Sequence, residues 1–67
     1  MHEHLKTNVK VARAGDLTQA ELADLAGTTR KSVNAVEMGH IVPSPVLALK
    51  LARAMRATVE TLFYLRD

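Results

Sequence analysis

The segment TQAELADLAGTTRKSVNAVEMG, from Thr18 to Gly39, decides how this chain is read. It opens on a helix start: Thr18 is followed three residues later by Glu21, the spacing at which each side chain satisfies an orphan backbone N–H of the other. It is broken by Gly27-Thr28-Thr29, a glycine able to take a positive φ and then a hydroxyl suited to cap the next helix. It closes on Gly39. The spacing predicts two helices, ending near Ala26 and Met38, joined by a short turn. Leu22, Val33 and Val36 then face one another. Ala23, four residues after Gln19, falls where the helices approach most closely, so a larger side chain would push them apart. Taken singly these residues suit any helical hairpin; their joint spacing is much more specific.

Outward from this segment, the apolar residues recur at intervals of three and four, with no alternating strand pattern. A first helix is expected over 7–14, with Val11 and Leu5 inward and Lys6, Lys10 and Arg13 outward. A fourth opens on Ser44-Pro45, a cap followed by the residue best suited to the first helical position. A fifth follows Thr58 and buries Val59, Leu62 and Phe63, after which 64–67 are able to extend as a short strand. The expected architecture is all-α with room for short terminal strands: one compact five-helix domain over 1–67, its helix-turn-helix at 18–39 and helices 4 and 5 over 45–63.

The 67 residues allow one domain with a small core. With no cysteine, disulfides and thiolate metal sites are excluded. No apolar run reaches the roughly 18 residues needed to cross a bilayer, and the N-terminus carries no signal-peptide pattern, so a cytoplasmic protein is expected. A net charge of +2 and a pI near 9.4 favour a polyanionic partner. There is no nucleophile–base pair, paired acid cluster or glycine-rich phosphate loop, and His2-X-His4 lacks a third ligand nearby. No enzyme, cofactor, metal or small-molecule effector is expected.

Thr18-Gln19-Ala20-Glu21-Leu22-Ala23, Gly27-Thr28-Thr29-Arg30-Lys31-Ser32-Val33, Glu37-Met38-Gly39 and Pro43-Ser44 together resemble the phage-repressor and Cro-like (Xre-type) helix-turn-helix family. The likeness continues through Leu49-Lys50-Leu51-Ala52 to Leu62-Phe63. It implies a five-helix, lambda-repressor-like transcriptional regulator that binds double-stranded DNA, often as a homodimer on a palindromic operator. Two departures stand out. The interval from Arg13 to Thr18 is about one residue short, which bears on the length of helix 1 and on any phosphate contact by Arg13. Arg56 stands where the family commonly ends a helix with glycine.

With Val33 and Val36 inward, steps of 100° put Lys31, Asn34, Ala35 and Met38 on the opposite side of helix 3, with Arg30 at its flank. Arg and Lys can donate to guanine O6 and N7, Asn can pair with adenine, and an alanine methyl can meet that of thymine. Arg30, Lys31, Asn34 and Ala35 are therefore the candidate base contacts; on an arbitrary helix they would be a solvated face. Gln19 resembles the family glutamine that contacts a phosphate and supports the recognition helix. Thr29, Arg13, His40 and Ser44 are further phosphate candidates, Thr29 and Ser44 serving equally as caps. Glu37, acidic on a DNA-facing helix, is expected to bond within the turn before Gly39.

Ala48, Leu51, Ala52 and Met55 supply the inner face of helix 4. Val46, Leu47 and Leu49 are left over and, with Tyr64 and Leu65, are the expected homodimer surface. The competing reading is an antitoxin-like or adaptor module that uses the same surface to hold a different protein, its DNA binding secondary.

Overall fold

The computed structural model describes residues 4–66, in the order β1 (His4–Thr7), α1 (Val9–Arg13), α2 (Gln19–Ala26), α3 (Arg30–Glu37), α4 (Pro45–Ala54), α5 (Val59–Leu62) and β2 (Phe63–Arg66). Each of the last four helices begins at a hydroxyl cap. The Thr18 hydroxyl accepts from the Glu21 N–H (3.0 Å) while the Glu21 carboxylate accepts from the Thr18 N–H (2.8 Å), completing the expected box. The Thr29, Ser44 and Thr58 hydroxyls cap α3, α4 and α5 by accepting from the N–H three residues on, without the return bond, and Pro45 opens α4. At the end of α2, Gly27 lies at φ +68° and the Thr28 N–H reaches back to the Ala23 carbonyl (2.9 Å). The same closure ends α4, but there Arg56 holds φ +54°, a conformation that crowds its β-carbon.

Val9, Leu22, Leu51 and Leu62 are wholly buried, with Val33, Val36 and Phe63 packed around them and Ala23, Ala26, Ala48 and Ala52 filling the close approaches. Val59 packs against this core only in part. The small residues let α2 lie close to both α3 and α4, which fixes the angle at which α3 is presented.

Three expectations are corrected. The chain is mostly helical and not strictly all-α, because β1 and β2 form an antiparallel pair with His4 opposite Arg66, Leu5 opposite Leu65, Lys6 opposite Tyr64 and Thr7 opposite Phe63. Four residues are too few for alternation to stand out in a sequence. Because 4–7 are committed to this pair, helix 1 shrinks to Val9–Arg13, and Val9 is its core residue, while Val11 is 76% exposed. Leu5 accordingly belongs to a strand. The Asn8 N–H donates to the Leu62 carbonyl (2.7 Å), fastening the start of α1 to the end of α5. Of the pair His2-X-His4, His2 lies outside the described residues and only the backbone of His4 is described.

Candidate nucleic-acid interface

Helix α3 is held from behind and open in front. Val33 and Val36 are buried against α2 and the core, whereas Arg30, Lys31 and Asn34 are exposed and Ala35 is half-buried. The wheel thus separates the faces as expected. Arg30 also lines a shallow depression with Arg13, Leu17, Thr18, Gln19 and Ala20, so the start of α3 opens beside the start of α2. The unpaired N–H groups of the first α2 turn give this corner a partial positive charge in addition to that of Arg30.

Beneath that corner lies a hydrogen-bonded network. Arg13 donates from Nε to Glu37 Oε2, from Nη2 to Glu37 Oε1 (3.0 Å) and from Nη1 to the Leu17 carbonyl (3.0 Å). Gln19 donates from Nε2 both to Glu37 Oε1 (3.0 Å) and to Asn34 Oδ1 (3.0 Å). The Glu37 side chain is 1% exposed and that of Arg13 13%. Burial alone pushes the Glu37 carboxyl up, but hydrogen bonds from Arg13 and Gln19 and the charges of Arg13 and Lys10 outweigh it, holding the carboxyl below its ordinary range. The hydrogen bond to Glu37 raises Arg13 against the opposing effect of burial.

This network revises three assignments. Glu37 does not bond within its own turn; it ties the end of α3 to α1 and α2. Arg13, four residues after Val9 on the same side of α1, points inward rather than outward, with three of its five N–H donors engaged by Glu37 and Leu17. Gln19 has spent both amide hydrogens inside the protein. What remains for an anion at this position is the main-chain N–H at the start of α2.

The other phosphate candidates lie apart. Thr29 accepts from the Ser32 N–H (3.1 Å) and donates to the Ser32 hydroxyl (3.0 Å), and Ser44 accepts from the Leu47 N–H (3.1 Å). Ser44 lines a second depression with Gly27, Thr28, Val46, Leu47 and Lys50, so Thr28 and Lys50 join it beside the turn. Sequence reasoning missed both, because the position of Lys50 depends on how α4 docks against the turn. His40 sits in the exposed turn after α3, where its N–H donates to the Ala35 carbonyl (2.9 Å).

The expected dimer residues are divided. Val46, Leu49 and Leu65 are exposed, but Leu47 is half-buried against the core. Tyr64 lines a groove of about 590 Å³ with residues that include Leu5, Met38, Ile41, Val42 and Phe63. Ile41 and Val42, both exposed, were missed because the sequence shows them only as a loop. Among the described residues no helix is long and apolar enough to cross a membrane, and no group of three or more acidic, histidine or cysteine residues converges as a metal site.

The helix-turn-helix family profile matches residues 10–62, from the second residue of α1 to the end of α5. The chain is 39% identical over 64 residues to YgzD, an uncharacterized HTH-type transcriptional regulator of Bacillus subtilis, covering 94% of this chain and 97% of that protein. It is 46% identical over 52 residues to an uncharacterized HTH-type transcriptional regulator of Methanothermobacter thermautotrophicus (76% and 75% covered), and 36% identical over 64 residues to one of Methanocaldococcus jannaschii, MJ0272 (94% and 97%). With the helix pair, its turn and its open basic face in place, this chain belongs to the Xre/Cro-like helix-turn-helix family of DNA-binding transcriptional regulators.

Proposed function

We propose that the protein is a sequence-specific regulator that binds a palindromic operator as a homodimer and represses by occupying it. The observation that carries the reading is the asymmetry of α3: its buried valines fix it in place, and its basic, amide-bearing face is left open. Arg30, Lys31, Asn34 and Ala35 face base edges in the major groove, and the start of α2, Thr29, Ser44 and His40 lie along the phosphates. Lys50 and Thr28 extend that backbone contact beside the turn.

The second copy is supported by apolar exposure that a 67-residue domain does not need: Val46, Leu49, Tyr64 and Leu65, with Ile41 and Val42 beside Tyr64. A two-fold pair repeats α3 about one DNA turn away, roughly 34 Å, and converts two weak half-sites into one useful site. Selection from random duplexes, read against salt, tests this. A recovered palindrome with affinity falling steeply with salt is expected. No selected sequence, together with a stoichiometric unrelated partner on purification, would replace it with the adaptor reading.

A further inference from the structure

The amide of Asn34 has a direction, and the direction is set from inside the protein. An ionised carboxylate only accepts hydrogen bonds, so Glu37, already held by Arg13, admits only the Nε2 side of Gln19. One Nε2 hydrogen goes to Glu37, and the other to Asn34. Asn34 must therefore turn its carbonyl oxygen toward Gln19. Its Nδ2 has no protein partner among the described residues and lies on the exposed face of α3. An exposed asparagine ordinarily exchanges its oxygen and nitrogen by rotation about χ2 and offers either to a partner. Here the exchange would set two donors against each other at Gln19.

We infer that Gln19 is a specificity-positioning residue, which locks the Asn34 amide with its nitrogen toward the DNA so that this position reads a hydrogen-bond acceptor on a base edge. This rests on the reading of α3 as the helix that enters the groove. The acceptors available there are purine N7, guanine O6 and thymine O4; cytosine offers only its N4 amine as a hydrogen-bonding group. The ion pair of Arg13 and Glu37, which touches no base in this scheme, is the origin of the polarity. Gln19 reverses nothing by itself: it passes the acceptor character of Glu37 on to Asn34 as a donor.

Selection from random duplexes with the wild-type chain, Gln19→Glu, Gln19→Ala and Asn34→Asp tests this. Wild type is expected to disfavour cytosine about tenfold at one position of each half-site, within the range of a good base-edge contact. Gln19→Glu presents an acceptor to Asn34, turns its nitrogen inward and moves the preference at that position toward cytosine or adenine, whose amines donate. Gln19→Ala releases the amide and reduces discrimination there to near unity. Asn34→Asp, an isosteric change on an exposed residue, keeps the bond from Gln19 and shifts the same position in the same direction as Gln19→Glu, which shows that residue 34 reads the base, while Gln19→Ala tests the lock even if the Gln19→Glu variant fails to fold. Wild-type protein that selects no sequence overturns both the groove reading and this inference. A wild-type site whose preference at that position survives in folded Gln19→Ala, with only uniform loss of affinity, overturns the inference alone.

Discussion

Glu37, the last residue of α3, is tied through both carboxylate oxygens to Arg13, the last residue of α1, although 24 positions separate them. Because the folded carboxyl titrates below its ordinary range, the pair stabilises the fold above that range, and the contribution is lost as pH falls through the folded value. Glu37→Gln is expected to cost about 3 kcal/mol in urea unfolding at pH 7, the scale of a broken buried pair. The gap to wild type should narrow as pH falls below the ordinary glutamate range and close through the lower folded value as the wild-type carboxyl takes up its proton. A gap that stays constant with pH would assign the loss to packing.

Arg56 holds a left-handed backbone conformation at the end of α4. Arg56→Gly is expected to stabilise by about 1 kcal/mol, less the added entropy of the unfolded chain. In a domain of this size the net gain raises the melting midpoint by a few degrees, at about 4–8 °C per kcal/mol. An unchanged or lowered midpoint would mean that the arginine side chain compensates by contacts of its own.

Ala23 is 4% exposed between α2 and α3. Ala23→Leu should destabilise by about 1–3 kcal/mol through overpacking and, by moving α3, weaken DNA binding even in the fraction that folds. Equilibrium unfolding and a binding titration on the same sample separate the two effects.

Arg30 and Lys31 are exposed at the start of α3. Their joint replacement by Ala should abolish selection of one DNA sequence while leaving the helical circular dichroism spectrum intact. Selective binding that survives would mean that α3 is not the reader.

Ile41 and Val42 line the same groove as Tyr64. Glutamate at both is expected to leave the fold intact, give a monomer in sedimentation and reduce affinity for a full palindrome far more than for a half-site. A double variant that still sediments as a dimer would move the interface to the exposed side of α4.

The helix pair was legible because its signals are local: Thr18 with Glu21, Gly27 as a helix end, Thr29 as a cap, and valines three apart facing α2. A strand at 64–67 could be read in outline, but β1 and its pairing with 63–66 could not, since the pairing is non-local and each strand shows only four residues. Val9 was displaced by Val11 for that reason, the phase of a five-residue helix being set by where the strand before it stops. The exposed face of α3 could be read from its wheel. The partners of Arg13, Gln19 and Glu37 could not, because they depend on the angle between three helices and no spacing within one of them encodes it.

The pairing of His4 with Arg66 has a topological consequence. Opposed residues of an antiparallel pair stand about 5 Å apart, so one short linker would join them and turn the described chain into a ring. Reopening that ring between Ile41 and Val42, in the exposed connection after α3, gives a circularly permuted protein whose reading segment, 18–39, is uninterrupted. A cut there lies in the groove proposed for the second copy but outside 18–39, so α3 keeps its bonds to α1 and α2 while the pairing of two chains is altered.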